Sequence, residues 1–222
     1  MNFAALRRGF RQHSQRSFAT ALSALLLALT LAVPGKVYAA DSKTLLVLGD
    51  SISAAYGMSL EQGWVALLEE HLQESHPHYR VVNASISGET TGGGLRRLPD
   101  LLARYEPTIV LLELGGNDGL RGYPPASIRD NLRDMTRLAE DAGAEVLLLA
   151  MEIPPNYGAR YTAAFRDTFT LVAEETGATA LPFILDGIAT DASLMQEDGI
   201  HPTVEAQPLL LDRLLPSLLE LL

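Results

Sequence analysis

The residues best equipped for chemistry stand in four short blocks: Gly49-Asp50-Ser51-Ile52-Ser53, Asn83-Ala84-Ser85-Ile86-Ser87-Gly88-Glu89-Thr90, Gly115-Gly116-Asn117-Asp118-Gly119 and Asp198-Gly199-Ile200-His201-Pro202. Alone, each reads as an ordinary turn, because Asp, Asn and Ser bond to nearby backbone and Gly supplies positive φ. Asp198 and His201 are also residue types that ligate metals. Together the blocks contain the parts of an acyl-transfer site. A serine hydroxyl is a poor nucleophile until a base takes its proton, and that base must itself be oriented. Of the four histidines beyond residue 39, His71, His76 and His78 crowd the polar end of one helix and its loop and read as solvated surface, which leaves His201. Asp198 precedes it by three residues, so a tight turn can aim the carboxylate at one imidazole nitrogen while the other faces Ser51. The expected triad is Ser51, His201 and Asp198. A tetrahedral intermediate also needs donors where its oxyanion develops, each worth about 3 kcal/mol. Three are at hand: the Ser51 N–H, the Gly88 N–H and the Asn117 side-chain amide. Without a Cβ, Gly88 lets its backbone approach the substrate closely.

The elements that must position these blocks alternate between strand and helix. Leu45-Leu46-Val47-Leu48 is a continuous apolar run ending at Gly49-Asp50, as in a strand buried on both faces. Trp64, Leu67, Leu68 and Leu72 recur at helical spacing. A second strand is expected over Arg80–Asn83, a helix over Leu95–Arg104 and a third strand over Thr108–Leu114. Ile128, Leu132, Met135, Ala139 and Ala142 mark a helix stopped by Gly143, before a fourth strand over Val146–Ala150. A further helix over Tyr161–Thr176 ends at Gly177, a weak fifth strand covers Thr179–Leu181, and Leu211, Leu214, Leu215 and Leu218 line a last helix that Pro216 is expected to kink. Strand–helix alternation with short connections implies an α/β fold with a doubly wound, mainly parallel sheet of about five strands. Such sheets bind ligands beyond the carboxyl ends of their strands, where these blocks lie.

Composition narrows the partners. The first 39 residues carry five basic and no acidic side chains, so the other 183 hold 12 Lys and Arg against 27 Asp and Glu, a formal charge of −15. Nucleic acids and anionic membranes both attract basic patches, so neither is an expected partner. The absence of cysteine excludes disulfides, thiolate metal sites and a cysteine nucleophile. Residues 1–39 read as a secretory signal: an Arg-rich start, an apolar run over Phe18–Val33 too short to span a bilayer, Pro34-Gly35, and Val37 and Ala39 at the −3 and −1 positions of a cleavage site. Residues 40–222 are then a single exported domain, expected in the periplasm, monomeric, and without stable membrane insertion once the signal is cleaved. The general secretory route is favoured, because the residues flanking Arg7-Arg8 do not match a twin-arginine signal.

Ser, Gly, Asn and His in this order resemble the signature of the SGNH (GDSL-type) hydrolases, over nearly the whole chain beyond Leu45. Asn83–Gly88, Glu113–Gly122, Pro155-Asn156-Tyr157-Gly158 and Asp198–Pro202 are similar to the secreted TesA-type acyl-CoA thioesterase, lysophospholipase and arylesterase group within it. The resemblance implies a three-layer α/β/α fold, no metal and no cofactor, with Ser51 as nucleophile, His201 as base, Asp198 as its orienter and Ser51, Gly88 and Asn117 as the oxyanion hole. It further implies that the segment Leu120 to Tyr123 closes over an acyl chain. Pro154, Pro155, Asn156 and Tyr157, after the fourth strand, are expected to wall the opposite side, so Leu120, Tyr123, Pro155 and Tyr157 are candidate substrate contacts. Glu113, in an apolar strand, reads as a buried structural carboxylate, and Asp50 and Asp118 as residues that orient loops and donors. No G-x-S-x-G elbow, phosphate-binding loop, H-E-x-x-H helix or G-x-G-x-x-G fingerprint competes. The expected activity is hydrolysis of small-molecule acyl esters and thioesters. Two rivals are a carbohydrate acetyl esterase using the same triad, and an exported acyl-binding protein without turnover.

Overall fold

The computed structural model describes residues 42–222; the expected signal segment, 1–39, lies outside the described residues. Five strands, β1 (Lys43–Gly49), β2 (Tyr79–Asn83), β3 (Ile109–Glu113), β4 (Glu145–Leu149) and β5 (Thr179–Leu181), form one sheet in the order β2-β1-β3-β4-β5. Every pairing is parallel, with Leu45 opposite Val81 and Ile109, and Gly49 opposite Glu113. Leu45–Leu48, Val110–Leu112 and Leu147–Leu148 are fully buried. These runs are apolar at every position because helices cover both faces of the sheet.

One layer contains α1 (Trp64–Ser75) and α6 (Gln207–Leu219), which pack on each other. The other contains α2 (Thr91–Tyr105), α4 (Pro125–Asp141) and α5 (Ala159–Thr176), packed in that order. The result is a three-layer α/β/α sandwich. Helix α4 buries Ile128, Leu132, Met135 and Ala139 along one stripe and α5 buries Phe165, Phe169 and Val172, as helical periodicity requires. At the end of α5, Gly177 takes the left-handed conformation that stops it. Helix α6 runs through Pro216 to Leu219.

Two departures from expectation bear on the site. Helix α2 begins at Thr91, four residues before Leu95, and so includes three glycines. The Thr90 hydroxyl caps it by accepting from the Gly93 N–H, and a Cβ at Gly93 would collide with the Glu89 carboxylate, so tertiary packing overrides weak helix propensity. The loop expected after β3 contains a one-turn helix, α3 (Gly116–Leu120). A Cβ at Gly119 would lie 2.7 Å from Ile153 and 2.8 Å from Phe165, so only glycine lets this turn sit so close to the layer of α5.

In a 2-1-3-4-5 sheet the connections leave β1 and β3 in opposite directions, which opens a crevice between their carboxyl ends. Ser51 follows β1 and Asn117 follows β3 at that point. Beyond β2, Ala84 N–H donates to Val47 C=O and Ile86 N–H to Gly49 C=O, extending the pairing and setting the Ser87-Gly88 turn beside the Ser51 turn.

Candidate active site

Ser51 lies at the start of a helical turn, with Ala54 N–H bonded to Asp50 C=O and Tyr56 N–H to Ser51 C=O. The Ser51 side chain is nearly buried, and its Oγ is 2.8 Å from His201 Nε2. His201 Nδ1 is 2.6 Å from Asp198 Oδ2. Asp198 is a pure acceptor when ionised, so the Nδ1 proton points at it, and the Nε2 lone pair is left to accept from the Ser51 hydroxyl. The other Asp198 oxygen accepts from the Ile200 and His201 N–H groups at 2.9 and 3.0 Å, and Gly199, at φ +64°, makes that turn possible. Burial acts to raise Asp198, but the hydrogen bonds from the His201 ring and from the two amides outweigh it and bring the carboxyl to about 2. It is ionised wherever the protein would be assayed.

The other expected site groups are the Ser51 and Gly88 N–H groups and the Asn117 side-chain amide. Glu89 N–H donates to Ile86 C=O across Ser87 and Gly88, and Gly88 has φ +80°, which makes this a type II turn. The Ser51 and Gly88 N–H groups have no acceptor among the described residues. Arg121 Nη2 donates to Gly88 C=O at 3.1 Å and ties the turn to the end of α3. One N–H of the Asn117 amide goes to Asp50 Oδ2 at 2.9 Å, which fixes the plane of the amide and leaves its second N–H free.

Beneath this surface lies a buried acid pair. Asp50 Oδ1 accepts from the Ile52 N–H, and Glu113 Oε2 accepts from the Ser53 hydroxyl at 2.6 Å and the Asp50 N–H at 3.1 Å, while Glu113 Oε1 has no partner. Gly49 is required above them, since its Cβ would meet Glu113 and Ser53. Burial pushes Asp50 up to about 6, against the pull of the Ile52 and Asn117 hydrogen bonds. Burial and the neighbouring Asp50 charge hold Glu113 well above the usual carboxylate range. Both are acids whose folded-state values are raised. The stability they contribute is complete below their unfolded-state values, near 3.8 and 4.5, and is lost as pH rises through the folded ones. Asp198 acts with the opposite sign, but only between about 4 and about 2. The melting temperature is therefore expected to fall as pH rises from 4 to 7, and Glu113→Gln, which replaces a neutral acid by a neutral amide, should flatten that slope. A slope identical to wild type would show that Glu113 is not protonated in the fold.

Asp118 is buried and accepts from the Thr91 N–H and hydroxyl, anchoring the start of α2. The candidate rim residues differ from expectation in arrangement. Tyr157 Oη donates to Leu120 C=O at 2.8 Å and Tyr161 Oη to Tyr123 C=O at 2.6 Å. Leu120, Tyr123 and the Pro155–Tyr157 turn thus form one continuous wall rather than two facing ones, because β3 and β4 are adjacent in the sheet. Tyr123 and Tyr157 are exposed along it. Sequence reasoning missed Tyr56, whose ring lies 4.2 Å from the His201 ring, and the roles of Arg121 and Gln196 in joining loops. Tyr56 and Gln196 stand in no pattern that marks them, whereas Arg121 falls within the Glu113–Gly122 stretch without a role being assigned to it. The one available signal for Tyr56 is its place five residues after Ser51.

Residues 47–208 match the model of the GDSL-like lipase/acylhydrolase family. The chain belongs to that family. This GDSL-like hydrolase is 51% identical over 201 residues to esterase TesA of Pseudomonas aeruginosa, covering 90% of the chain and all of TesA. It is 46% identical over 174 residues to thioesterase 1/protease 1/lysophospholipase L1 of Escherichia coli K12, covering 78% of the chain and 82% of that protein. The crystal structure of TesA superposes with a TM-score of 0.79 at 53% identity, over 81% of this chain and all of that one. The GDSL-like hydrolase is accordingly a serine esterase/thioesterase that acts on small-molecule esters.

Proposed function

We propose that Ser51 is the nucleophile, His201 the general base and acid, and Asp198 the group that orients it, in hydrolysis of aryl esters, acyl-CoA thioesters and lysophospholipids. The observation that carries this reading is the chain of contacts from Ser51 Oγ through His201 to Asp198, at 2.8 and 2.6 Å, beside three donors free to meet one oxyanion. In the first half-reaction His201 Nε2 takes the Ser51 proton as Oγ bonds to the acyl carbon. The carbonyl electron pair moves onto oxygen and is held by the Ser51 and Gly88 N–H groups and the Asn117 amide. Collapse expels the alcohol or thiol, which leaves with the proton from His201. Water repeats the sequence on the acyl-enzyme, and Ser51 regains its proton as the carboxylic acid departs.

A medium or long acyl chain is the expected preference, with Leu120, Tyr123, Pro155 and Tyr157 as the apolar wall along which it lies. Each buried methylene contributes ~0.8 kcal/mol, or about fourfold in kcat/KM, until the wall is covered. The charge of −15 beyond residue 39 disfavours adsorption on anionic bilayers, so lysophospholipid is expected to react in preference to bilayer phospholipid. The same reading makes residues 1–39 an export signal and the enzyme a periplasmic monomer. Among the described residues no helix is long and apolar enough to cross a membrane. The test is kcat/KM for p-nitrophenyl esters and acyl-CoAs of two to sixteen carbons, on protein released by osmotic shock and beginning at Ala40. A monotonic fall from acetyl upward, with activity on acetylated sugars, would select the carbohydrate esterase instead. Binding without turnover would select the acyl carrier.

A further inference from the structure

The base and its orienter stand on a long irregular stretch between β5 and the 3-10 turn Val204–Ala206. No strand or helix holds His201 in place, so individual bonds must. One set closes the loop on itself: Gln196 N–H to His201 C=O at 2.7 Å, Thr203 N–H to Leu194 C=O at 2.8 Å and Gly199 N–H to Gln196 C=O at 2.9 Å. These fix His201 relative to Asp198. They do nothing to fix either relative to Ser51, which belongs to a turn 150 residues earlier.

Apart from the reactive Ser51–His201 contact, one hydrogen bond among the described residues joins the two segments. Gln196 Nε2 donates one proton to Tyr56 C=O at 2.8 Å, in the Ser51 turn, and the other to Pro202 C=O at 3.0 Å, next to His201. A single primary amide therefore spans from the nucleophile's turn to the residue after the base. Its Oε1 lies against Gly57, at φ +78°, where any Cβ would collide with it. The same bond fixes the backbone of Tyr56, whose ring lies against the His201 ring at a tilt of 31°. We propose that Gln196 is a positioning residue for catalysis: its amide sets the distance between Ser51 Oγ and His201 Nε2. The proposal rests on the assignment of His201 as base.

Displacement of a catalytic group by about 1 Å costs on the order of 10²-fold in rate. Gln196→Met keeps the bulk of the side chain and removes both donors. It is expected to lower kcat by about 10- to 100-fold with KM within about threefold, and to slow phosphonylation of Ser51 by a fluorophosphonate to the same degree. The pH midpoint of kcat/KM should stay where it is, because the bonds between His201 and Asp198 lie within the loop and survive. Gln196→Glu, which turns a carboxylate toward two carbonyl oxygens, should be no better. In a His201→Gln background, Gln196→Met should add no further loss, since residues acting as one unit are non-additive.

A folded Gln196→Met protein with wild-type kcat, an effect confined to KM, or a full additional loss in the His201→Gln background would each overturn the proposal. If Gln196→Met fails to fold, the proposal is tested by Gly57→Ala, which pushes on Gln196 Oε1 from the other side and should show the same kcat loss with unchanged KM; wild-type kcat there overturns it. If His201→Gln alone keeps wild-type activity, the reading of the base has failed, and Gln196 has nothing to position.

Discussion

Ser51→Ala is expected to reduce kcat/KM by about 10³-fold or more, and a fluorophosphonate probe should modify the wild-type protein once, at Ser51. The competing hydroxyls are ruled out by their surroundings. Ser53 Oγ is buried and donates to Glu113 at 2.6 Å, so its proton is committed to an acid. Ser85 Oγ is buried without any partner, and so has no base to activate it. Ser87 is exposed in the Ser87-Gly88 turn, but no hydrogen bond among the described residues joins it to a histidine. Of these four, Ser51 alone is bonded to an imidazole whose far nitrogen is held by a carboxylate. Activity should not vanish altogether in the alanine variant, because the oxyanion donors survive and can still assist attack by water. Peptide mapping of the labelled protein decides the matter, and modification at Ser53, Ser85 or Ser87 would sink the assignment.

Asn117→Ala should cost about 10²- to 10³-fold in kcat with little change in KM. On the proposed mechanism the amide meets a full negative charge only in the tetrahedral state, so its removal is felt there and hardly at all by bound substrate. Here the amide donates to the buried Asp50 Oδ2, which fixes the donor before the charge arrives. The alanine variant also leaves Asp50 Oδ2 without its donor, so some loss of stability is expected alongside the kinetic one. Measuring both parameters on folded variant separates them. A change mainly in KM would make Asn117 a binding group for ground-state substrate.

Much of this was legible in the residues because two physical signals coincide. Unbroken apolar runs such as Leu45–Leu48 suit strands covered on both faces, and the polar blocks fall directly after them, at the edge where an α/β sheet opens. Propensity misled where packing overrode it: the glycines at 93, 94, 116 and 119 argue against helix, yet they are there because α2 and α3 approach their neighbours too closely for a Cβ. The wall made by Leu120, Tyr123 and Tyr157 depends on which strands are adjacent, and so on the whole topology. Gln196 and Tyr56 were hidden for another reason. The acceptor of the Gln196 bond is a backbone carbonyl, which every residue has, so side-chain identity carries no trace of the pairing.

The separation of 150 residues between Ser51 and His201 has a bearing on biosynthesis. Ser51, Gly88 and Asn117, the proposed nucleophile and oxyanion donors, leave the ribosome well before His201, the proposed base. A partly made chain can collapse around β1, β2 and β3 and still possess no group able to deprotonate Ser51. On the proposed mechanism, full hydrolytic competence therefore appears only at the end of translation and folding, when the last loop docks, and a product truncated before Asp198 has no base for Ser51 however well its sheet has formed.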